Sequence, residues 1–164
     1  MSIMIDQRTR VVVQGITGRF GSYHSQRMRE YGTQVVAGVT PGKGGEEVGG
    51  IPVFDSLGEA KEATGAEVVA VLVPGPFVKD AAFEAIDAGI DLIVCLVEGV
   101  PVQDTMMIAR RLRESHTRMI GPNSPGSCRR GGRLSVSCRA TYTCLARWAS
   151  YPAVARSPTR WPRR

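Results

Sequence analysis

Three glycines spaced three apart, Gly15-Ile16-Thr17-Gly18-Arg19-Phe20-Gly21, follow an apolar run and open an amphipathic one. A turn of this kind lets the backbone approach a phosphate closely, and the free N–H groups at the start of the following helix favour an anion. Thr17 adds a hydroxyl donor. A tight strand-to-helix turn with no ligand uses the same letters, so the motif alone does not decide. The next glycine-rich turn, Thr40-Pro41-Gly42-Lys43-Gly44-Gly45, says more. A dinucleotide site usually places an acid about 20 residues past the glycines, to hold a ribose. Here the corresponding strand ends Gly38-Val39-Thr40 with no acid, and Lys43 follows between glycines. A lysine so placed suits an extra phosphate better than a bare ribose. Coenzyme A and NADP both carry a phosphate on the ribose, and a solvated loop lysine would look the same. All three readings stay open at this point.

These turns need a frame, and the flanking patterns supply one. Arg10–Gln14 (RVVVQ) reads as a buried strand, and Arg19–Tyr31 as a helix with Phe20, Tyr23, Met28 and Tyr31 as its inward positions. Gln34–Val39 is a second strand and Ile51–Phe54 a short extended piece. Ser56 caps a helix that ends near Gly65. Glu67–Val73 is a continuous apolar strand, Phe77–Ala88 a helix stopped by Gly89, and Asp91–Val97 another strand. Val102–Ser115 is a helix and Arg118–Ile120 a last short strand. Strands apolar on both faces, alternating with helices, predict an α/β fold: a Rossmann-like parallel sheet with helices on both faces. Ligands of such sheets bind beyond the carboxyl ends of the strands. The loops Gly15–Gly21, Thr40–Gly45, Pro74–Pro76, Glu98–Pro101 and Gly121–Gly126 fall there.

Bulk properties fit one domain. The chain has 164 residues, 43% hydrophobic and 22% charged. No apolar run approaches the roughly 18 residues needed to span a bilayer. The start MSIMIDQRTR lacks a signal-peptide layout, so no membrane partner and a cytoplasmic location are expected. His24 and His116 lack partners that would make nucleophiles of them and are expected to be exposed polar residues, leaving no catalytic residue. Cys95, inside a strand, is read as a small core residue.

The segments GITGRFGS, YGTQVVAGVTPGKGG, GIPVFDS, EAIDAGIDLIVCLVEGVP and RMIGPNSPG resemble successive motifs of the succinyl-CoA synthetase (succinate–CoA ligase) α-subunit, in order and spacing, over nearly all of residues 1–126. The resemblance implies an N-terminal domain that binds coenzyme A, with contacts matching Thr17, Gly18, Arg19 and Phe20, then Lys43, then Leu96, Val97 and Glu98. Val97 departs from a common Thr. Ser124 departs from the usual Cys of the GPN-C-PG loop. The family reaction joins succinate, coenzyme A and a nucleoside triphosphate through a phosphohistidine in a second domain, and the α-subunit pairs with a β-subunit. No counterpart of that histidine is expected here, so the chain is expected to be inactive alone. The coenzyme domain by itself does not separate succinate from malate. Two other readings are a stand-alone coenzyme A-binding regulatory module and an NADP-dependent oxidoreductase.

The net charge of +6 hides a break. Residues 1–126 hold 12 of the 21 basic residues and all 15 acidic ones, a net of −3. Residues 127–164 hold nine arginines, no acid, three of the four cysteines and both tryptophans. Neither the helical nor the strand period runs through them, so the division expected is 1–126 coenzyme A-binding domain and 127–164 disordered, irregular basic tail. Cys128, Cys138 and Cys144 lack metal-ligand spacing, and no metal is expected. A nucleic-acid-binding arm would have the charge, but the tail has no lysine and no patterned aromatics, so no nucleic-acid partner is expected. The tail is instead expected to be an out-of-frame translation. When the last base of each codon is joined to the first two of the next, Arg139 to Thr143 permit Gly-His-Ile-Tyr, and Leu145 to Thr159 permit a run ending Val-Ser-Arg-Ser-Gly-Thr-Leu-Thr-Tyr. Both resemble the α-subunit family.

Overall fold

The computed structural model describes residue 5, residues 8–124 and two short strands at 127–128 and 135–136. Seven strands form one sheet: β1 (Arg10–Gln14), β2 (Gln34–Val39), β3 (Glu47–Val48), β4 (Ile51–Phe54), β5 (Val68–Val71), β6 (Leu92–Cys95) and β7 (Arg118–Ile120). Their order is β3-β4-β2-β1-β5-β6-β7. All neighbours pair parallel except β3, which folds back antiparallel on β4. The helices are α1 (Arg19–Glu30), α2 (Leu57–Thr64), α3 (Val78–Asp87) and α4 (Val102–Arg113). Among the described residues no helix is long and apolar enough to cross a membrane.

Alternation along each strand divides the core in two. Val12, Val69, Val71 and Ile93 face the layer of α2, α3 and α4, while Val11, Val13, Ala70 and Val94 share the other side with Ile16 and Met28. The sheet is therefore dry on both faces, which is why its strands read as unbroken apolar runs. Cys95 is buried there, and burial pushes its thiol up, keeping it protonated.

Two helices complete each other's ends. Ser56 caps α2 through the Glu59 N–H at 3.3 Å, and Glu84 of α3 accepts from the Leu57 N–H at 2.7 Å. In return Lys61 of α2 donates to the Ala88 and Gly89 carbonyls at 2.7 Å, at the end of α3. A carboxylate at a helix start and an ammonium at a helix end both oppose the helix dipole charge. Gly65 closes α2 in the left-handed conformation.

Four expectations need correction. Phe20 and Tyr23 point outward, each 55% exposed, and Tyr31 is half-buried. The inward face of α1 is Gly21, His24, Ser25 and Met28, at helical spacing, so of the four predicted positions Met28 is the fully buried one. His24 is accordingly 5% exposed rather than on the surface, whereas His116 is exposed as expected. The helix lies close to the sheet on small residues, and that pushes the large rings to the outside. The predicted strands Glu67–Val73 and Asp91–Val97 are also shorter in the fold, because their last residues leave the ladder to form loops. Phe77 belongs to a 3-10 turn, Gly75–Phe77, ahead of α3.

Beyond β7, β8 (Ser127–Cys128) and β9 (Ser135–Val136) form an antiparallel ladder of their own, which no sequence period indicated. The remaining expectations for the tail fall outside the described residues.

Candidate coenzyme-binding site

The strand order turns back between β1 and β5, since β2 lies on one side of β1 and β5 on the other. A crevice opens at such a point beyond the carboxyl ends. The loop Gly15–Gly18 sits at its centre. Gly15 adopts φ +82, and its N–H bonds the Val39 carbonyl at 2.8 Å, which ties the loop to β2. Gly21 is needed for a different reason: a Cβ there would overlap the Gly15 carbonyl oxygen and the Ile16 backbone. The first turn of α1 therefore packs directly onto the loop that precedes it.

Gly18 is the residue before α1, extended at φ −71 and ψ 153, and provides no side-chain cap. The N–H groups of Arg19, Phe20 and Gly21 have no acceptor within the helix. No acid stands in the first turn, and Arg19 does. A cation at a helix start is opposed by the dipole, so this end of α1 is arranged for an incoming anion. Gly18, Arg19 and Phe20 are all exposed, and the Phe20 ring edge meets His24 with centroids 4.2 Å apart. The fit to a phosphate-bearing ligand rests on these features: an uncapped helix start, no Cβ at Gly18, and a guanidinium beside it.

Thr17 is half-buried and donates to Thr40 Oγ1 at 3.2 Å, while Thr40 donates to the Val39 carbonyl at 2.8 Å. In this arrangement the Thr17 proton points inside the protein, and rotation about its C–O bond is required before it serves a ligand. Thr40 begins the Lys43 loop, so this hydroxyl pair joins the two phosphate-type turns. The Lys43 N–H bonds the Thr40 carbonyl at 3.1 Å, and the Lys43 ammonium lies 3.8 Å from Glu46. Sequence reasoning missed both Thr40 and Glu46; polar residues flanking the glycine–lysine turn were the available signal.

Leu96, Val97 and Glu98 follow β6, two strands from β1 and about 10 Å along the sheet at ordinary strand spacing. They are at the same carboxyl end, separated from Thr17–Phe20 by the β5 loop. Leu96 and Val97 are half-buried against opposite faces of the core, and Glu98 is exposed. The side chain that stands where the resemblance has Thr is thus partly a packing residue. The Val97 carbonyl accepts from the Asn123 N–H at 2.8 Å, which anchors the β7 loop, and Asn123 takes φ +56. Non-glycine residues rarely adopt that conformation, and asparagine is among those that do. The structure ties the Thr17 turn to the start of the Lys43 loop through Thr40, with Leu96–Glu98 on the far side of β5.

His24 Nδ1 is buried with no hydrogen-bond partner, and burial holds the imidazole below its usual pKa. It stands as a neutral wall behind Phe20, its ring edge-on to both Phe20 and Tyr23. An open groove of about 230 Å³ between α3 and α4 is lined by Phe83, Met107, Arg110, Arg111 and Glu114. It lies toward the C-terminal end of α4, opposite the glycine loops, and is not part of the site. Among the described residues no cluster of His, Cys, Asp or Glu could hold a metal ion.

Comparison with known proteins agrees with this fold and with coenzyme A as its ligand. Residues 6–99 match the CoA binding domain family. The α-subunit of ADP-forming succinate–CoA ligase from Aquifex aeolicus is 54% identical over 128 residues, 77% of this chain and 42% of that protein. The α-subunit 2 of the same enzyme from Archaeoglobus fulgidus is 54% identical over 126 residues, 77% of this chain and 44% of its own length. The chain thus spans less than half the length of these relatives. A solved structure of ATP citrate lyase from Methanothrix soehngenii, in complex with citrate and coenzyme A, shares the fold with a TM-score of 0.66 at 20% identity, over 76% of this chain and 22% of that one. The chain belongs to the CoA binding domain family, and its matched region is homologous to the α-subunit of succinate–CoA ligase.

Proposed function

We propose that this domain holds coenzyme A for an acid–thiol ligase of the succinate–CoA type, as the front part of an α-subunit that works with a β-subunit in the cytoplasm. The observation that carries the reading is the uncapped start of α1, flanked by Arg19 and tied through Thr17 and Thr40 to the Lys43 loop. In this reading the backbone of Gly18, Arg19 and Phe20, with the Thr17 hydroxyl, receives the diphosphate. Lys43 receives the ribose phosphate. Leu96, Val97 and Glu98 guide the pantetheine arm toward the β6 and β7 loops, so that the thiol leaves the crevice on the side where Ser124 stands. The bound coenzyme would supply the thiol that accepts the acyl group, and the residues of this domain bind and orient it. Phosphoryl transfer would fall to the phosphohistidine of the second domain that the resemblance implies. The ligase reaction is therefore assigned to the assembled enzyme.

The domain's extent supports the same view of the tail. The relatives match over 126 to 128 residues of the 164, which supports a separate origin for the residues after 126. An out-of-frame continuation accounts for their arginines without a ligand.

Calorimetry on the full chain tests the binding assignment. Coenzyme A is expected to give a saturable heat, and NADP none at the same concentration. A clear NADP isotherm with no response to coenzyme A would return the site to an oxidoreductase reading.

A further inference from the structure

We propose that Glu46 competes internally for Lys43 and so tunes how strongly this domain prefers a nucleotide with a phosphate on its ribose; the inference rests on the reading of Lys43 just given. The backbone between the two residues is held firmly. The Lys43 N–H bonds the Thr40 carbonyl at 3.1 Å, the Glu46 N–H bonds the Lys43 carbonyl at 3.2 Å, and the Gly45 N–H bonds the Val53 carbonyl at 2.9 Å. Asp55 accepts from the Gly44 N–H at 2.8 Å and clamps the turn from outside. With the main chain fixed, the Lys43 ammonium and the Glu46 carboxylate stay in reach of each other, 3.8 Å apart. Their side chains are 47% and 54% exposed, so the pair opens at little cost.

A ribose phosphate arriving at Lys43 meets that carboxylate twice. It must first displace Glu46 from the ammonium, and it then sits beside a like charge that the fixed turn cannot carry away. A nucleotide lacking the ribose phosphate leaves the pair undisturbed. Glu46 therefore lowers the affinity for the phosphorylated ligand selectively.

The experiment measures the Kd of coenzyme A and of 3′-dephospho-coenzyme A on the full chain at low salt, for wild type, Glu46→Gln, Lys43→Met and the double variant. Glu46→Gln is expected to tighten coenzyme A about threefold, the size expected from an exposed ion pair. Dephospho-coenzyme A should not respond. The gain should shrink as salt screens the charges, and in the Lys43→Met background it should fall to the smaller part left by like-charge repulsion. If Lys43→Met weakens coenzyme A selectively but Glu46→Gln changes nothing, or shifts both ligands equally, the competition is refuted and Lys43 keeps its role. If Lys43→Met weakens neither ligand, or both equally, Lys43 is not the phosphate partner and the inference falls with that assignment.

Discussion

Gly18 and Gly21 belong to one motif but answer to different constraints, and replacing each by alanine separates them. At Gly21, in the first turn of α1, the new Cβ would overlap the Gly15 carbonyl and the Ile16 Cα, all main-chain atoms. Neither can swing away, so the helix must lift from the loop. Overpacking of this kind costs about 1–3 kcal/mol and occasionally more. Alanine recovers up to about 1 kcal/mol as a better helix former. A net loss of roughly 1–2 kcal/mol lowers Tm by roughly 4–8 °C in a domain of this size. At Gly18 the backbone is already ordinary for alanine, and a Cβ would lie 3.3 Å from the Gly15 carbonyl, close but tolerable. The expected stability change is within about 1 kcal/mol, the usual scale at a helix cap. The methyl group would instead stand in the mouth of the cradle, where affinity for coenzyme A should fall at least about tenfold, or roughly 1.4 kcal/mol. Thermal melts and calorimetry on both variants give four numbers. The reasoning predicts a large Tm loss for Gly21→Ala and a large affinity loss with a small Tm change for Gly18→Ala. Unchanged coenzyme A affinity in Gly18→Ala would refute the placement of the phosphate at this helix start.

Other perturbations test the frame. Glu84→Ala removes the acceptor of both the Leu57 N–H at 2.7 Å and the Gln14 amide at 2.8 Å, and urea unfolding should show a loss of about 2 kcal/mol. Ile108 is the one fully buried residue of α4, so Ile108→Ala should cost about 2–4 kcal/mol by the same measurement. His24 is kept neutral by burial, and its folded pKa lies below the ordinary 6.5. The unfolded chain therefore binds the proton first, and stability should fall as pH drops through and below 6.5. His24→Gln should flatten that part of the pH–stability curve, and an equally steep curve in the variant would assign the acid sensitivity elsewhere. Reading the DNA around codons 120–130 should show that one restored frame continues the α-subunit pattern past residue 126; a tail encoded in this frame in close relatives would overturn the out-of-frame origin.

The residues that were legible in the sequence owe their pattern to local rules. Val11–Val13, Val68–Val71 and Leu92–Cys95 are buried on both faces, so apolar runs sufficed to place three central strands. Ser56 and Gly65 marked the ends of α2 by cap chemistry that acts within one turn. The hairpin of β3 and β4 was also within reach: Gly49 and Gly50 both take positive φ between paired Val48 and Ile51, the requirement of a two-residue turn. What escaped depends on contacts between elements. The face of α1 could not be read from hydrophobicity, because the helix is seated by the contact of Gly21 with Gly15, and this leaves Phe20 and Tyr23 outside with His24 beneath. That seating also explains why an aromatic side chain stands exposed at the mouth of the crevice. Thr40 is hidden in the same way: its hydroxyl matters because β1 and β2 are neighbours, which brings Thr17 to it across 23 positions of sequence. In the proposed reading the glycine spacing announces a phosphate-type turn, but the pairing of β1 with β2 is what joins it to the Lys43 loop. A site for a nucleotide phosphorylated at two distant points requires that union, and it belongs to the sheet rather than to either motif.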